Sequence, residues 1–356
     1  MSTPKKPIRI LIVGTGGMAN SHAEAYKKIP GVEVVAGVDV RAGQLAAFNE
    51  KHEISDGFAS VEEAIAWGQF DAVSNVTPDR FHYATTMPLL AAGKHVLCEK
   101  PLATNAADAV RMADAAAKAG VVNAVNLSYR NVPSMQKAAA LVRSGAIGEV
   151  RFFEASYLQS WLHQPTWGDW QTSPQWLWRL SSAHGSKGAL GDVGVHIVDF
   201  ATYVAGLPVS DVSGRFVVYD KAPPTNKIGD YVLDVNDSVT MQLSLANHAL
   251  GTVVATRVAS GHHNDLRLKI YGTKGGLEVL NQEPDTLRAC LEPALAEAKW
   301  QTIQCPPVTM NYERFIATIR AENSPAAPDF ARGAEIQKVL DAAEESAGQE
   351  SRVVRV

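Results

Sequence analysis

The chain has 356 residues, 46% hydrophobic and 20% charged, with a formal net charge of −4. Such a composition excludes disordered and fibrous classes, and the length exceeds one ordinary core, so two domains are expected. The charge balance gives no electrostatic case for nucleic acid or for an anionic membrane.

The start of the chain, residues 1–7, carries Lys5-Lys6 and superficially resembles a signal n-region. The apolar run that follows, 8–13, is too short for a signal core or a membrane span. Through residue 125, β-branched runs alternate with alanine-rich stretches. Strands are predicted at 8–13, 32–38, 72–76, 95–98 and 121–125, and helices at 18–29, 44–51, 61–67, 81–92 and 106–119. Apolar strands separated by helices predict a doubly wound parallel sheet, an α/β Rossmann domain over 1–125. A helix is predicted at 133–144. Strand-rich signal follows at 151–158, 215–219, 238–245, 252–257, 267–271 and 276–280, and helices at 312–321 and 331–347 close the chain. Residues 126–356 are therefore read as an α+β domain with a large open, mostly antiparallel sheet. Cys98, Cys290 and Cys305 make neither a disulfide framework nor a zinc pattern, which points to a reducing, cytoplasmic setting.

The first strand runs into Gly14-Thr15-Gly16-Gly17-Met18-Ala19 and then a helix. Gly14 permits a tight turn, Gly16 lets backbone amides approach a pyrophosphate, and the helix start offers unpaired N–H groups. Asp39, at the end of the second strand, is placed to accept hydrogen bonds from an adenosine ribose, which favours NAD. Arg41, two residues on, fits a 2′-phosphate, so NADP stays open.

Glu99-Lys100-Pro101 closes the run 95–98 and sets an ammonium at the carboxyl edge of the sheet, where open α/β sheets bind ligands. Farther on, Gly191-Asp192-Val193-Gly194-Val195-His196 supplies a carboxylate and an imidazole at helical i,i+4 spacing. The same spacing also fits a capping aspartate and a core histidine. Five of the seven tryptophans, Trp161, Trp167, Trp170, Trp176 and Trp178, fall within one polar, loop-like stretch. Flat rings there suit the C–H faces of sugars, or else the packing of an insertion or a subunit contact. His262-His263-Asn264-Asp265 reads as a polar turn, and no metal site is expected.

In order and spacing these pieces resemble the Gfo/Idh/MocA oxidoreductase family over nearly the whole chain. The resemblance takes in the glycine turn, Thr77-Pro78 with His82, Glu99-Lys100-Pro101, and Asn126…Tyr129-Arg130…Pro133. Gly145…Gly148, Asp192…His196 and Asp341-Ala342-Ala343…Ser346 complete it. It implies a cofactor site of Gly14, Thr15, Gly16, Gly17, Met18, Asp39, Arg41, Thr77, Pro78, His82, Glu99, Lys100 and Asn126. It implies a substrate site of Lys100, Arg130, Trp161, Trp178, Arg179, Asp192 and His196. Lys100 would polarise the reacting hydroxyl, His196 would take its proton, and Asp192 would orient His196 and bind a neighbouring hydroxyl. Either Lys100 or His196 fits the formal base. With no arginine cluster beside these motifs, the expected substrate is a neutral sugar, anhydrosugar or inositol-like polyol, oxidised at a ring secondary hydroxyl to a ketone. A non-catalytic sugar- or dinucleotide-sensing regulator and a tightly cofactor-bound transhydrogenase are the alternatives. A homodimer or homotetramer is implied, built on the open sheet.

Overall fold

The computed structural model describes residues 6–356, and most of the signal-like segment lies outside the described residues. The chain divides into two compact units: residues 1–127 with 309–337, and residues 128–308 with 338–356.

In the first unit, β1 (Ile8–Val13), α1 (Gly17–Lys27), β2 (Val32–Val38), α2 (Ala42–His52), β3 (Asp56–Phe58), α3 (Val61–Trp67), β4 (Ala72–Asn75), α4 (His82–Ala91), β5 (His95–Cys98), α5 (Ala106–Ala119) and β6 (Asn123–Val125) follow in turn. The sheet order is β3-β2-β1-β4-β5-β6, with every pairing parallel. This is the doubly wound arrangement expected. The strands are short and apolar because both faces of a parallel sheet are covered. Gly14 must be glycine: it has φ +84°, and a Cβ there would sit 2.8 Å from the Thr77 nitrogen, just beyond β4. The β1–α1 turn is thereby pressed against the end of β4.

The first unit also takes in residues 309–337, which the sequence reading placed with the second domain. The helix Asn311–Ile319 buries Phe315 and Ile316 in the cluster formed by Ile8, Ile10, Ala19, Ala23 and Tyr26. The Val125 N–H also donates to the Pro328 carbonyl, and the Phe330 N–H to the Asn123 side chain. Apolar burial and these strand-end bonds draw residues 309–337 back to the parallel sheet.

The second unit contains α6 (Pro133–Arg143), β7 (Val150–Leu158), α7 (Pro174–Leu177), α8 (Val195–Ala205), β8 (Val209–Val217), the small hairpin β9 (Lys227–Ile228) and β10 (Tyr231–Val232), β11 (Ser238–Leu245), β12 (Leu250–Thr256), β13 (Asp265–Gly272), β14 (Gly275–Leu280), β15 (Thr286–Leu291), β16 (Gln301–Gln304) and β17 (Val354–Arg355). The large sheet runs β16-β15-β14-β13-β7-β12-β11-β8-β17, antiparallel except where β12 lies parallel to β7. Its strands alternate buried and open positions, as in Ser238–Leu245, the pattern of a half-covered sheet.

Arg130, expected to bind substrate, instead joins two elements of this unit. Its Nε and Nη2 donate to the two carboxylate oxygens of Asp199 on α8, each at 2.7 Å, and its guanidinium lies 3.5 Å from the Tyr203 ring centroid. Both side chains of the ion pair are buried. Breaking a buried pair from one side strands a charge. Asp199→Ala is expected to lower unfolding free energy by about 3–5 kcal/mol, read from the urea midpoint. A change below about 1 kcal/mol would show that the pair behaves like a surface contact.

Candidate active site

The site of the first unit is assembled at the carboxyl ends of β1, β2, β4 and β5. Helix α1 starts at Gly17 with Gly16 as its cap, and no acidic residue in its first turn offsets its positive end. Thr15, Gly16, Gly17, Asn20 and Gln44 line a cleft of about 290 Å³. Met18 is about half exposed beside it. Asp39 is buried, and its carboxylate accepts from the Thr15 N–H and hydroxyl, from Gln44, and from the Arg41 N–H and guanidinium. Burial alone would raise this carboxyl. The bonds from Arg41 and Thr15 outweigh it and hold Asp39 below its ordinary value. The side chain of Arg41 is largely exposed, whereas the carboxylate it meets is buried. Glycine backbone, an open helix start and an ionised ribose-side carboxylate together fit a dinucleotide.

Glu99 is held from three directions. His22 of α1 meets Oε1 at 2.9 Å and uses its other ring nitrogen on Ser74 of β4. The Asn126 amide donates to the same Oε1 at 2.6 Å, and the Lys100 N–H donates to Oε2 at 3.2 Å. Burial would raise Glu99, but His22, the Lys100 ammonium and Asn126 lower it to about 2. Lys100 follows at the sheet edge, joined to Pro101 by a cis peptide bond. His22 carries this arrangement and was missed in the sequence; its place one turn into the helix that follows the glycine turn was the available signal.

Two residues expected at the cofactor have structural roles here. His82 is fully buried, and its ring nitrogens meet the carbonyls of Pro101 (2.7 Å) and Thr77 (2.8 Å). Two carbonyl acceptors require an N–H on each nitrogen, hence an imidazolium. Burial opposes that charge, but the Cys98 side chain, Asp79 and the Pro101 carbonyl raise His82 to about 10. It therefore pins the Thr77-Pro78 loop to the turn after Lys100; Thr77 is further tied to Asn75 through its N–H and hydroxyl. Asn126, 3% exposed, is likewise occupied, bonding Glu99 and Tyr312 and accepting from Asn311.

The second unit carries a cleft of its own. Gly188, with φ +68°, has no room for a Cβ against the Asn236 carbonyl, 2.5 Å away. Asn236 accepts from Ala189 and Leu190 and donates to the Lys187 carbonyl. This fixed turn leads into a π-type turn at Leu190–Gly194, and α8 proper starts at Val195. The expected α-helical stacking of Asp192 on His196 is thus replaced by a wider turn. The Asp192 carboxylate takes a 3.0 Å hydrogen bond from Arg257 and lies 4.0 Å from Arg179. His196, 7% exposed, packs edge-on to Tyr129 at 5.0 Å between ring centroids.

Tyr157, Gln159, Trp161, Trp167, Trp176, Arg179, Asp192 and Asn264 line a cleft of about 330 Å³. Gln159 ties three of these groups together: it accepts from the Trp161 indole and donates to Asn264 and Tyr157. The Tyr157 hydroxyl donates a hydrogen bond to Asn264, so Tyr129 donates to Tyr157 across 2.6 Å. Burial raises Tyr129 to about 12 and Tyr157 well above its ordinary value, so both hydroxyls stay protonated. Trp178 does not line the cleft and instead lies under Arg179; Trp167 and Trp176, stacked at 5.9 Å, take the place expected for it. Among the described residues no cluster of three or more His, Cys, Asp or Glu is placed to hold a metal ion, and no helix is long and apolar enough to cross a membrane.

Both units match known families. Residues 8–127 match an oxidoreductase family with an NAD-binding Rossmann fold, and residues 135–278 match the GFO/IDH/MocA C-terminal domain. The levoglucosan dehydrogenase of Pseudarthrobacter phenanthrenivorans is 27% identical, covering 97% of each chain. An oxidoreductase domain protein from Kribbella flavida superposes with a TM-score of 0.87 at 30% identity, covering 99% of both chains. A levoglucosan dehydrogenase in complex with NADH and levoglucosan superposes with a TM-score of 0.86 at 26% identity, covering 98% of this chain and 99% of that one.

Glu99 yields a pH test. Its folded value lies below the ordinary one, so its stabilisation is complete above about pH 5 and fades as the pH falls toward 2. Glu99→Gln should lower Tm at neutral pH, and the gap from wild type should close on acidification. A gap independent of pH between 6 and 3 would contradict the ionised, hydrogen-bonded carboxylate.

Proposed function

This chain belongs to the Gfo/Idh/MocA oxidoreductase family, and we propose that it oxidises a ring secondary hydroxyl of a neutral anhydrosugar, sugar or cyclic polyol to a ketone. The observation that carries the reading is the second-unit cleft, in which three tryptophans and a chain of neutral hydrogen-bonding side chains surround one paired carboxylate. Indole faces match the C–H faces of a sugar ring, and Gln159, Asn264 and Tyr157 offer donors and acceptors for its hydroxyls. Arg257 is fully buried behind Asp192, so the cleft lining itself carries one cation, Arg179, against one carboxylate, Asp192, and offers no cluster of cations for an acidic sugar. The levoglucosan-binding relative makes an anhydrosugar the first substrate to test.

In this reading NAD, held by the Gly14–Gly17 turn with its ribose on Asp39, supplies the hydride acceptor. The Lys100 ammonium holds the reacting oxygen and stabilises the negative charge that grows on it. His196 takes the hydroxyl proton, a transfer suited to an imidazole near neutral pH. Asp192 accepts a hydrogen bond from an adjacent hydroxyl and fixes which carbon is presented. The open face of the large sheet is proposed as the surface of a homodimer or homotetramer.

Levoglucosan, myo-inositol and methyl glucosides should be assayed for NADH formation at 340 nm. Reduction with at least one is expected, and reduction with none would overturn the reading. Lys100→Ala and His196→Ala should each lower kcat by at least ~10²–10⁴-fold while NADH still binds; unchanged turnover would remove these residues from the mechanism. Asp39→Ala should shift the ratio of NAD to NADP dissociation constants toward NADP, and an unchanged ratio would contradict the ribose role.

A further inference from the structure

We propose that Arg257 is a positioning residue, which fixes the Asp192 carboxylate in the tryptophan cleft and makes it a hydroxyl acceptor already paired before substrate arrives. The proposal rests on the reading of Asp192 as a substrate-binding group.

Arg257 follows the last residue of β12 and its side chain is fully buried. Its Nη1 donates to the Arg179 carbonyl at 3.0 Å, and its Nη2 donates to the Gly188 carbonyl at 3.1 Å and to Asp192 Oδ2 at 3.0 Å. One planar guanidinium therefore joins the end of the tryptophan segment, the fixed turn at Gly188 and the π-type turn that bears Asp192. The Trp161 ring centroid lies 5.2 Å from the guanidinium carbon, so the same group backs the aromatic wall.

Charge balance identifies the partner. A guanidinium is permanently cationic and is costly to bury unless an anion and good geometry compensate. The other carboxylate near it, Asp237, is engaged by Lys221 at 2.5 Å and by the Tyr219 N–H. Asp192 is the carboxylate that hydrogen-bonds to Arg257, and Arg179 approaches the same oxygen from the cleft side. Asp192 thus meets a sugar as a carboxylate fixed by a buried fork. A lysine in that place keeps the charge but cannot hold three acceptors in one plane.

The test compares Arg257→Lys and Arg257→Met with wild type in complex with NAD, using levoglucosan or whichever sugar the wild type oxidises. Arg257→Met should raise the sugar KM at least ~10-fold, and Arg257→Lys should recover part of that loss, while the NADH dissociation constant stays within ~2-fold of wild type. In an Asp192→Asn background, Arg257→Lys should cost less than ~3-fold more. An unchanged sugar KM in Arg257→Lys, or losses that multiply fully with Asp192→Asn, would overturn the proposal. If Arg257→Met does not fold, Arg257→Lys decides by the same measures. A crystal structure of Arg257→Lys separates this inference from the choice of substrate. Displacement of the Asp192 carboxylate supports it even if no tested sugar is oxidised, and an unmoved carboxylate overturns it.

Discussion

The tryptophan cleft of the second unit is organised around one ionic contact, the hydrogen bond at 3.0 Å from the fully buried Arg257 to Asp192. A guanidinium without access to water demands an anion, and the chain supplies it from the π-type turn at Leu190–Gly194. The same guanidinium also holds the carbonyls of Gly188 and Arg179, and with Asn236 it ties down the turn. The tryptophan-lined wall, the turn and the carboxylate are thereby parts of a single arrangement.

The first unit meets its own constraint in a similar way. Glu99 is nearly buried, and its charge is balanced by His22, Asn126 and the Lys100 backbone and ammonium. These partners come from α1, from the end of β6 and from the residue that begins the turn after β5. The glycine turn and the Glu99-Lys100-Pro101 corner are therefore coupled through His22. His82 does the equivalent for the Thr77 loop, where two carbonyls capture an imidazolium.

Much of the first unit was legible from pattern. The strands Ile8–Val13, Val32–Val38 and His95–Cys98 and the helices Val61–Trp67 and Ala106–Ala119 fall where their apolar runs and breakers place them. The three-residue β3 was not visible, because Asp56-Gly57-Phe58 carries no apolar run and pairs only at the sheet edge. The strands Thr286–Leu291 and Gln301–Gln304 were missed for a similar reason: their pattern is interrupted by polar residues at the sheet's far edge. The return of residues 309–337 to the first unit depends on contacts with residues some 300 positions away, which no local period encodes. At the site, residue types were readable but partners were not. Arg130 and Asn126 carried the right motif context yet are occupied by Asp199 and Glu99. Trp176 and Trp178 lie two residues apart, and only the short helical turn decides which one faces the cleft. Arg257 stands 65 residues from Asp192 and carries no motif at all.

The chemistry proposed for these parts is removal of a hydride and a proton from one sugar carbon and its hydroxyl. The most direct measurement follows both products when levoglucosan labelled with ¹³C is incubated with NAD and the purified protein. Equal amounts of NADH and of a ring ketone, the latter read by its ¹³C carbonyl resonance, are predicted for the wild-type protein and should be absent for His196→Ala. An intact sugar spectrum with NAD demonstrably bound, repeated across inositols and glucosides, would contradict the account.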